Sequence, residues 1–550
     1  LGKQSGAWWR TPSMEPPAAQ QSQDQEVRSV RVAALGIILA TLAVYSVSLA
    51  APFIYDDRVW ITGNPFIHHL GSLGRVLFPP AGSMVGGRPL LSLSFALNYA
   101  VSGSSPWSYH LANLAIHGGA ALLVLGIVRR TLAYVPGAFP GPADRLFPAF
   151  AAALLWGVHP IQTEAVTYVS QRAESLMGLF YLLALYAFVR GLESPWERAW
   201  HATAVLACLL GMVTKEVMVT APVVLLAYDR TFVSGSFGSA LRARKGFYAA
   251  LGLTWLPLVV LSVGLRERGV GLGLGYSWWS YGFLEAWVVV HYLALSFWPF
   301  PLVLDHGTDL VGTVRDALPW ACVLLVLVGA ALVAFLRRSP TGFAAAWFLL
   351  ILAPTSSVVP VAFQPMAEHR MYLPLAAVTA SAAAWVWAWA GRRSVVPVLL
   401  AALLLGAGAF MRNRDYRDEI TIWKDTVLRV PSNERARLAL GGALVRAHRD
   451  AEAGEQFGEA LRIAPGDVEA RLGLGIALLN LGRAQEALQQ FEVIVPPKPY
   501  LSLLHLYKAK ALDRLGRAAE ADAEYRKTAE LDPSGEETEK KLPADRLPGR

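Results

Sequence analysis

The chain has 550 residues, of which 54% are hydrophobic and only 16% charged, with 18 tryptophans and a formal net charge of +8. A soluble domain of ordinary usage is excluded, and a protein crossing a membrane many times is implied. From Arg412 to the end, 23 basic residues balance 23 acidic ones, so the excess of base precedes that point, where it suits the orientation of membrane spans and argues against a nucleic-acid partner.

Residues 1–27 are polar, rich in Pro, Gln and Ser, and lack a helical period. They are expected to form a flexible cytoplasmic tail, with Met14 a candidate natural start. The first apolar span, Val32 to Leu49, is longer than a secretory core and lacks a small-residue cleavage site, so a retained helix is expected. Arg28 and Arg31 precede it and place the tail in the cytoplasm. The sequence Phe53-Ile54-Tyr55-Asp56-Asp57-Arg58 follows at once. Two adjacent carboxylates at the mouth of a span are costly near low dielectric. They suit a catalytic carboxylate with a neighbour that orients it or binds substrate; the plainer alternative is a loop that happens to contain acids.

Crossings are expected at about 32–50, 110–128, 146–163, 175–190, 199–214, 217–233, 247–265, 318–336, 342–361, 371–390 and 395–411. These are about eleven, at roughly 20 residues each. The arrangement puts Arg129-Arg130, Arg190, Arg198, Arg230, Arg242, Arg244, Lys245, Arg337-Arg338 and Arg392-Arg393 in the cytoplasm. The C-terminal part then emerges opposite the N-terminus. Tyr281 to Pro301 is also apolar and is expected to be a re-entrant or surface-lying pair. The two cysteines, Cys208 and Cys322, lie in apolar runs, which excludes a disulfide framework and a thiolate metal cage.

The polar residues kept in or beside these spans gather on the other face. Arg88-Pro89 opens an amphipathic run, and His110, Asn113 and His117 share one helix side at spacings of three and four. HPIQTEAVTYVSQRAES holds His159, Glu164, Arg172 and Glu174; Lys215-Glu216 ends another span; AEHRMY supplies Glu368, His369, Arg370 and Tyr372. Each set has a plain alternative. Lys215-Glu216 is also what a snorkelling cation with a local partner looks like, and the histidines suit interhelical hydrogen bonding. His110, His117 and the Asp pair could hold a metal, although their spacing is not diagnostic. Together with the Asp pair, sets converging on one face point to a substrate path or reaction centre.

From about Arg412 the composition becomes charge-balanced and helical. Ala453, Ala487 and Ala521 recur 34 residues apart, as do Phe457, Phe491 and Tyr525, and Pro465, Pro499 and Pro533. That period is the tetratricopeptide repeat, in which a small residue admits a close helix pair, an aromatic fills the interface and proline ends the second helix. Leu440-Gly441 and Leu474-Gly475 supply first-helix positions, and Trp423 with Pro431 suggests a preceding half-repeat docked to the last membrane helix.

FIYDD, GRPLLSLSFALNYAVSG, YHLANLAIH, HPIQTEAVTYVSQRAE, TKE and AEHRMYLP, followed by repeats, together resemble the transmembrane and tetratricopeptide repeat containing O-mannosyltransferases of the GT-C class. The resemblance spans about residues 30–535, with a shorter first loop and fewer repeats than the animal members. It implies an all-α polytopic GT-C bundle at 28–411, whose first extracytoplasmic loop (51–109) carries the catalytic acid. A repeat solenoid at 412–535 and a flexible tail at 536–550 follow. It further implies an inverting transfer of a sugar, most naturally mannose, from a polyprenyl phosphate donor to a Ser/Thr hydroxyl of a protein held in the repeat groove. In that scheme Asp56 or Asp57 is the general base, and Arg172, Lys215, Arg370 and, more weakly, Arg88 receive the donor phosphate. His110, Asn113, His117, His159, Glu164, Glu174, Glu216, Glu368 and Tyr372 shape the sugar pocket or hold the cations. No cofactor or metal is required. Ala, Gly and Arg usage points to a bacterial inner membrane with periplasmic repeats, an endoplasmic reticulum lumen being the alternative. A non-enzymatic membrane scaffold and a transporter of lipid-linked sugars are the competing classes.

A reporter fused to the C-terminus is expected on the opposite side of the membrane from one fused to the N-terminus. Protease protection in intact vesicles reads this directly, and finding both ends on one side contradicts an odd number of crossings.

Overall fold

A computed structural model of the chain describes residues 18–79, 85–135, 137–261, 270–271, 277–308, 310, 313–357, 359–361, 363–495 and 500–532. Among them the molecule is all-α: helices and turns, with no β-strand beyond one isolated bridge between Val270 and Val361. The first helix runs Ala18–Tyr45, so residues 18–27, expected in the flexible tail, belong to the helix instead. Their Ala, Gln and Glu content is compatible with helix once Pro17 is passed. Residues 1–17 and the expected tail at 536–550 lie outside the described residues.

Among the described residues six stretches are long and apolar enough to cross a membrane: Asp24–Ala50, Trp107–Tyr134, Val169–Leu192, Glu216–Ser234, Arg315–Leu336 and Pro374–Asp415. The last has 42 residues and breaks at Gly391, whose φ of +53° a side chain would resist. It forms the helices Pro374–Ala390 and Val395–Asp415. The other expected crossings are the shorter helices Pro142–Gly157, Glu197–Met212, Lys245–Leu253 with Trp255–Leu261, and Pro340–Leu352. The protein is a multi-pass membrane protein. Tyr281 to Pro301 is not a pair: one helix, Trp278–Leu295, occupies most of it, because no glycine or proline interrupts the apolar run between Leu284 and Leu295.

Small residues set the spacing of the bundle. Trp107–Thr131 packs on Pro142–Gly157 and on Arg172–Leu192, and Pro142–Gly157 packs on Pro374–Ala390. Ala149, Ala151, Ala152 and Ala153 are buried there, allowing the close backbone approach that association in lipid relies on. Val314–Leu336 behaves oppositely, with Leu325 and Val326 more than 70% exposed. That costs little where the surrounding solvent is acyl chain.

The C-terminal part stacks Glu419–Arg429, Glu434–Arg446, Asp450–Ile463, Val468–Asn480, Ala484–Glu492, Leu501–Arg514 and Ala518–Leu531 in antiparallel neighbours. The repeat period has direct structural causes. Ala453, Ala487 and Ala521 are fully buried, and Phe457 and Phe491 fill the interfaces beside them. Left-handed turn residues recur at the same interval, His448, Gly482 and Gly516 (φ +58°, +80° and +73°). The surface pairs Arg449–Glu452, Arg483–Glu486 and Arg517–Glu520 follow each turn. Pro465 stands just past Ile463 as expected, whereas Pro499 and Pro533 lie outside the described residues.

A Cβ added at Gly475 would lie 2.2 Å from the Phe491 ring. Gly475→Ala is therefore expected to destabilise the repeats by about 1–3 kcal/mol, read as a lower denaturant midpoint for repeat unfolding. An unchanged midpoint would show that the interface is looser than this packing.

Candidate active site

Many of the charged residues at one end of the bundle lie on or beside short, broken elements. The turns Pro160–Gln162, Val169–Gln171, Glu216–Thr220 and Glu368–Met371 sit between longer helices. Irregular backbone at this depth is tolerated where protein covers it. These turns aim backbone groups as well as side chains into the same region.

The Asp pair divides its roles. Asp57 is buried, with Oδ1 accepting from the Ser170 amide at 2.6 Å and Oδ2 from the Ile54 amide at 3.2 Å. Asp56 is half-buried, its backbone N–H donates to the Tyr168 hydroxyl at 3.1 Å, and the same hydroxyl meets its carboxylate. Burial pushes the Asp56 carboxyl up to about 6, with Asp305 adding to the rise and Tyr168 and Arg435 opposing it. Asp57 is pushed up to about 7 by burial, against the pull of the two amides. Tyr55, immediately before the pair, holds φ +41°, a conformation that costs a non-glycine residue about 1 kcal/mol or more.

The expected phosphate ligands are placed unequally. Arg172 is fully buried and directs its donors to neutral oxygens: Asn113 Oδ1 and Asn98 Oδ1 at 2.6 Å, the Tyr109 carbonyl at 2.9 Å, and Ser94. Arg370 donates to the carbonyls of Thr355, Pro365 and Gln364. Both are used in holding loops together. Lys215 pairs with Glu174 at 2.5 Å, and Arg88 pairs with Glu216 at 3.1 Å over the Trp60 ring. The Leu90 amide donates to the Val213 carbonyl, so these two ion pairs are neighbours. Arg88, the weakest candidate by sequence, is the more solvent-accessible cation of the two.

The histidines act as tethers. His110 Nε2 meets the Ala51 carbonyl at 2.9 Å, and His159 joins the Ser296 carbonyl and the Ile161 amide. His117 bridges the Gly157 carbonyl and the Tyr372 hydroxyl, while Asn113 donates to the Val166 carbonyl. Glu164 receives both the backbone N–H of His369 at 2.8 Å and its ring Nδ1 at 2.7 Å. Burial alone would raise the Glu164 carboxyl, but His369's charge and hydrogen bonds together hold it below the ordinary range. Glu368 accepts from the Val303 amide and lies 3.4 Å from His306, with burial pushing its carboxyl up.

Several contributors were not singled out in the sequence, Tyr168, Glu285, Asp305, His306 and Arg435 among them. Glu285 is the only charged residue between Ser277 and Leu304 and is buried facing Arg370, Tyr281 and Ser356. A lone carboxylate in an apolar run was the available signal. Asp305 and His306 directly follow that run, and Arg435 pairs with Asp305 at 2.7 Å. The pairing between 305 and 435 has no local signature.

The tetratricopeptide repeat models match residues 444–500 and 404–468. Protein O-mannosyl-transferase TMTC2 of Mus musculus is 34% identical over 200 residues, covering 34% of this chain and 23% of its own length. The Drosophila melanogaster Tmtc2 protein O-mannosyl-transferase is 30% identical over 315 residues, covering 52% and 32%. The chain carries tetratricopeptide repeats within 404–500 and is similar to the protein O-mannosyl-transferases. It spans about a quarter to a third of the length of the curated relatives it matches. Among solved structures, ArnT from Cupriavidus metallidurans bound to undecaprenyl phosphate aligns over 91% of this chain and 88% of its own, at 15% identity and a TM-score of 0.37.

Asp57→Ala leaves two buried amides without their acceptor, an expected loss of about 1–3 kcal/mol, whereas Asp56→Asn should leave the thermal unfolding midpoint in detergent nearly unchanged. Equal losses in the two variants would contradict the division of roles.

Proposed function

We propose that the chain is an inverting membrane glycosyltransferase that moves a sugar, mannose by its resemblance, from a polyprenyl phosphate to a Ser/Thr hydroxyl of an extracytoplasmic protein. The observation that carries this is the half-buried Asp56 carboxylate, tuned towards neutrality, on the same end of the bundle as two adjacent cation–carboxylate pairs and the repeat array. Support comes also from the names of the relatives. The site end faces away from the cytoplasm, in a bacterial inner membrane. The opposite end carries Arg129 paired with Glu26, Arg130 with Glu193 and Arg244 with Asp229, in keeping with cytoplasmic excess of base.

Asp56 accepts the proton of the acceptor hydroxyl as its oxygen attacks the anomeric carbon from the face opposite the phosphate. The bond from that carbon to the phosphate oxygen breaks, and its electron pair leaves with the phosphate. Arg88 and Lys215 stabilise the charge by exchanging part of their pairing with Glu216 and Glu174 for the phosphate oxygens. A single displacement of this kind uses no enzyme nucleophile and no metal. Asp57 and Tyr168 orient the base.

The test is transfer of labelled mannose from polyprenyl phosphate mannose into protein by purified enzyme in lipid. Asp56→Asn is expected to lower the rate at least 100-fold. Because Asp56 works only when ionised and its carboxyl titrates near 6, wild-type kcat/KM should rise tenfold per pH unit below that point and flatten above it. No transfer by wild type from mannose or other lipid-linked sugars, with folded protein and a protein acceptor, would overturn the proposal.

A further inference from the structure

The repeat array does not hang from the last membrane helix as a separate module. Its first helix pair, Glu419–Arg429 and Glu434–Arg446, touches both loops that flank Asp56. On one side Glu419 Oε2 pairs with Arg58 and with Arg446, each at 2.8 Å, and Oε1 accepts from the Tyr55 amide at 3.4 Å. Trp423, nearly fully buried, stands edge-on to the Tyr55 ring at 5.3 Å. The residue with the left-handed backbone, directly before Asp56, is thus held by the repeat domain.

On the other side Asn433 Nδ2 donates to the Asp305 carbonyl at 2.7 Å, and Arg435 donates to Asp305 Oδ1 at 2.7 Å. The same Asp305 oxygen accepts from the Gly307 amide, closing a tight loop. Gly307 has φ +74°, and a Cβ there would lie 3.3 Å from the Asn433 side chain, so the loop is fitted against the helix start. The next residue, His306, reaches Glu368, whose neighbour His369 grips Glu164. A chain of contacts therefore runs from Arg435 into the buried carboxylates of the bundle.

We propose that the first tetratricopeptide helix pair is a structural part of the reaction centre, clamping the 53–58 and 302–307 loops, with Arg435 the positioning residue that aligns and electrostatically biases Asp56 through Asp305; this rests on the glycosyl-transfer reading above. The groups that face Asp56 are Tyr168, Asp57 and Tyr55 from the bundle side, Asp305 from the loop and Arg435 from the repeat, with the Arg58–Glu419–Arg446 cluster beyond. Arg435 opposes the rise that Asp305 adds, so losing its charge leaves Asp56 harder to ionise. The bias then moves the acidic limb of the rate profile to higher pH.

The experiment compares wild type, Arg435→Ala, Arg435→Lys and Asn433→Ala as full-length protein in lipid nanodiscs, with two readouts. One is the pH profile of sugar transfer; the other is amide hydrogen exchange of residues 53–58 and 302–307. Arg435→Ala should shift the acidic limb upward, cut kcat at least tenfold and remove protection in 302–307. Arg435→Lys should restore the limb but only part of kcat, and Asn433→Ala should loosen 302–307 without moving the limb. An unmoved limb or unchanged protection in Arg435→Ala overturns the clamp while the transfer activity stands. If wild type transfers no sugar, the functional proposal fails separately, and exchange alone decides: protection lost on removing Arg435 sustains the clamp, and protection retained overturns it.

Discussion

A charge taken out of water at the edge of a bilayer has to be matched, at a cost of several kcal/mol if it is not. That constraint organises the site end of this protein. Asp57 is matched by two amides, Glu174 by Lys215 and Glu164 by both nitrogen donors of His369. Arg172, without a carboxylate in direct contact, is matched by a ring of neutral oxygens. Asp56 is the exception: half-buried, touched by one phenol, and influenced by a carboxylate and a guanidinium on other elements. The proposed role of Asp56 as base needs that incomplete matching, because an acceptor hydroxyl has to reach a carboxylate oxygen that backbone amides do not already occupy.

Matching also explains why the site needs so many elements. No single helix carries both members of any of these buried pairs; Glu164 and His369 are 205 residues apart, and Asp305 and Arg435 are 130 apart. Each pair therefore staples two distant segments, and the loops between them cannot relax independently. The repeat domain joins this scheme through Glu419, Trp423, Asn433 and Arg435. Its remaining repeats extend from that fixed base.

The fold was legible where periodicity carries it. Apolar runs marked the membrane helices, and the recurrence of Ala453, Ala487 and Ala521 marked the repeats, because an interface that must be rebuilt every 34 residues leaves the same small residue each time. The expected gathering of the polar sets was also legible, since ionisable residues survive in apolar segments only for a reason. Individual roles were not. Arg172 and Arg370 read as phosphate ligands because the resemblance calls for cations at a leaving phosphate; their carbonyl and amide partners leave no trace in side-chain chemistry. The division between Asp56 and Asp57 depends on which one meets the Ser170 and Ile54 amides, and backbone direction is invisible in sequence. Asp305 escaped notice because its importance comes from Arg435, on the far side of a boundary where composition changes.

The position of a donor's head group decides most directly whether Asp56 faces the reacting carbon. A cryo-EM structure of the full chain with a non-hydrolysable polyprenyl phosphate sugar answers this. The anomeric carbon is expected to face Asp56, with the phosphate between Arg88 and Lys215. A head group at the opposite end of the bundle, beside Arg129, Arg130 and Arg244, would contradict that placement.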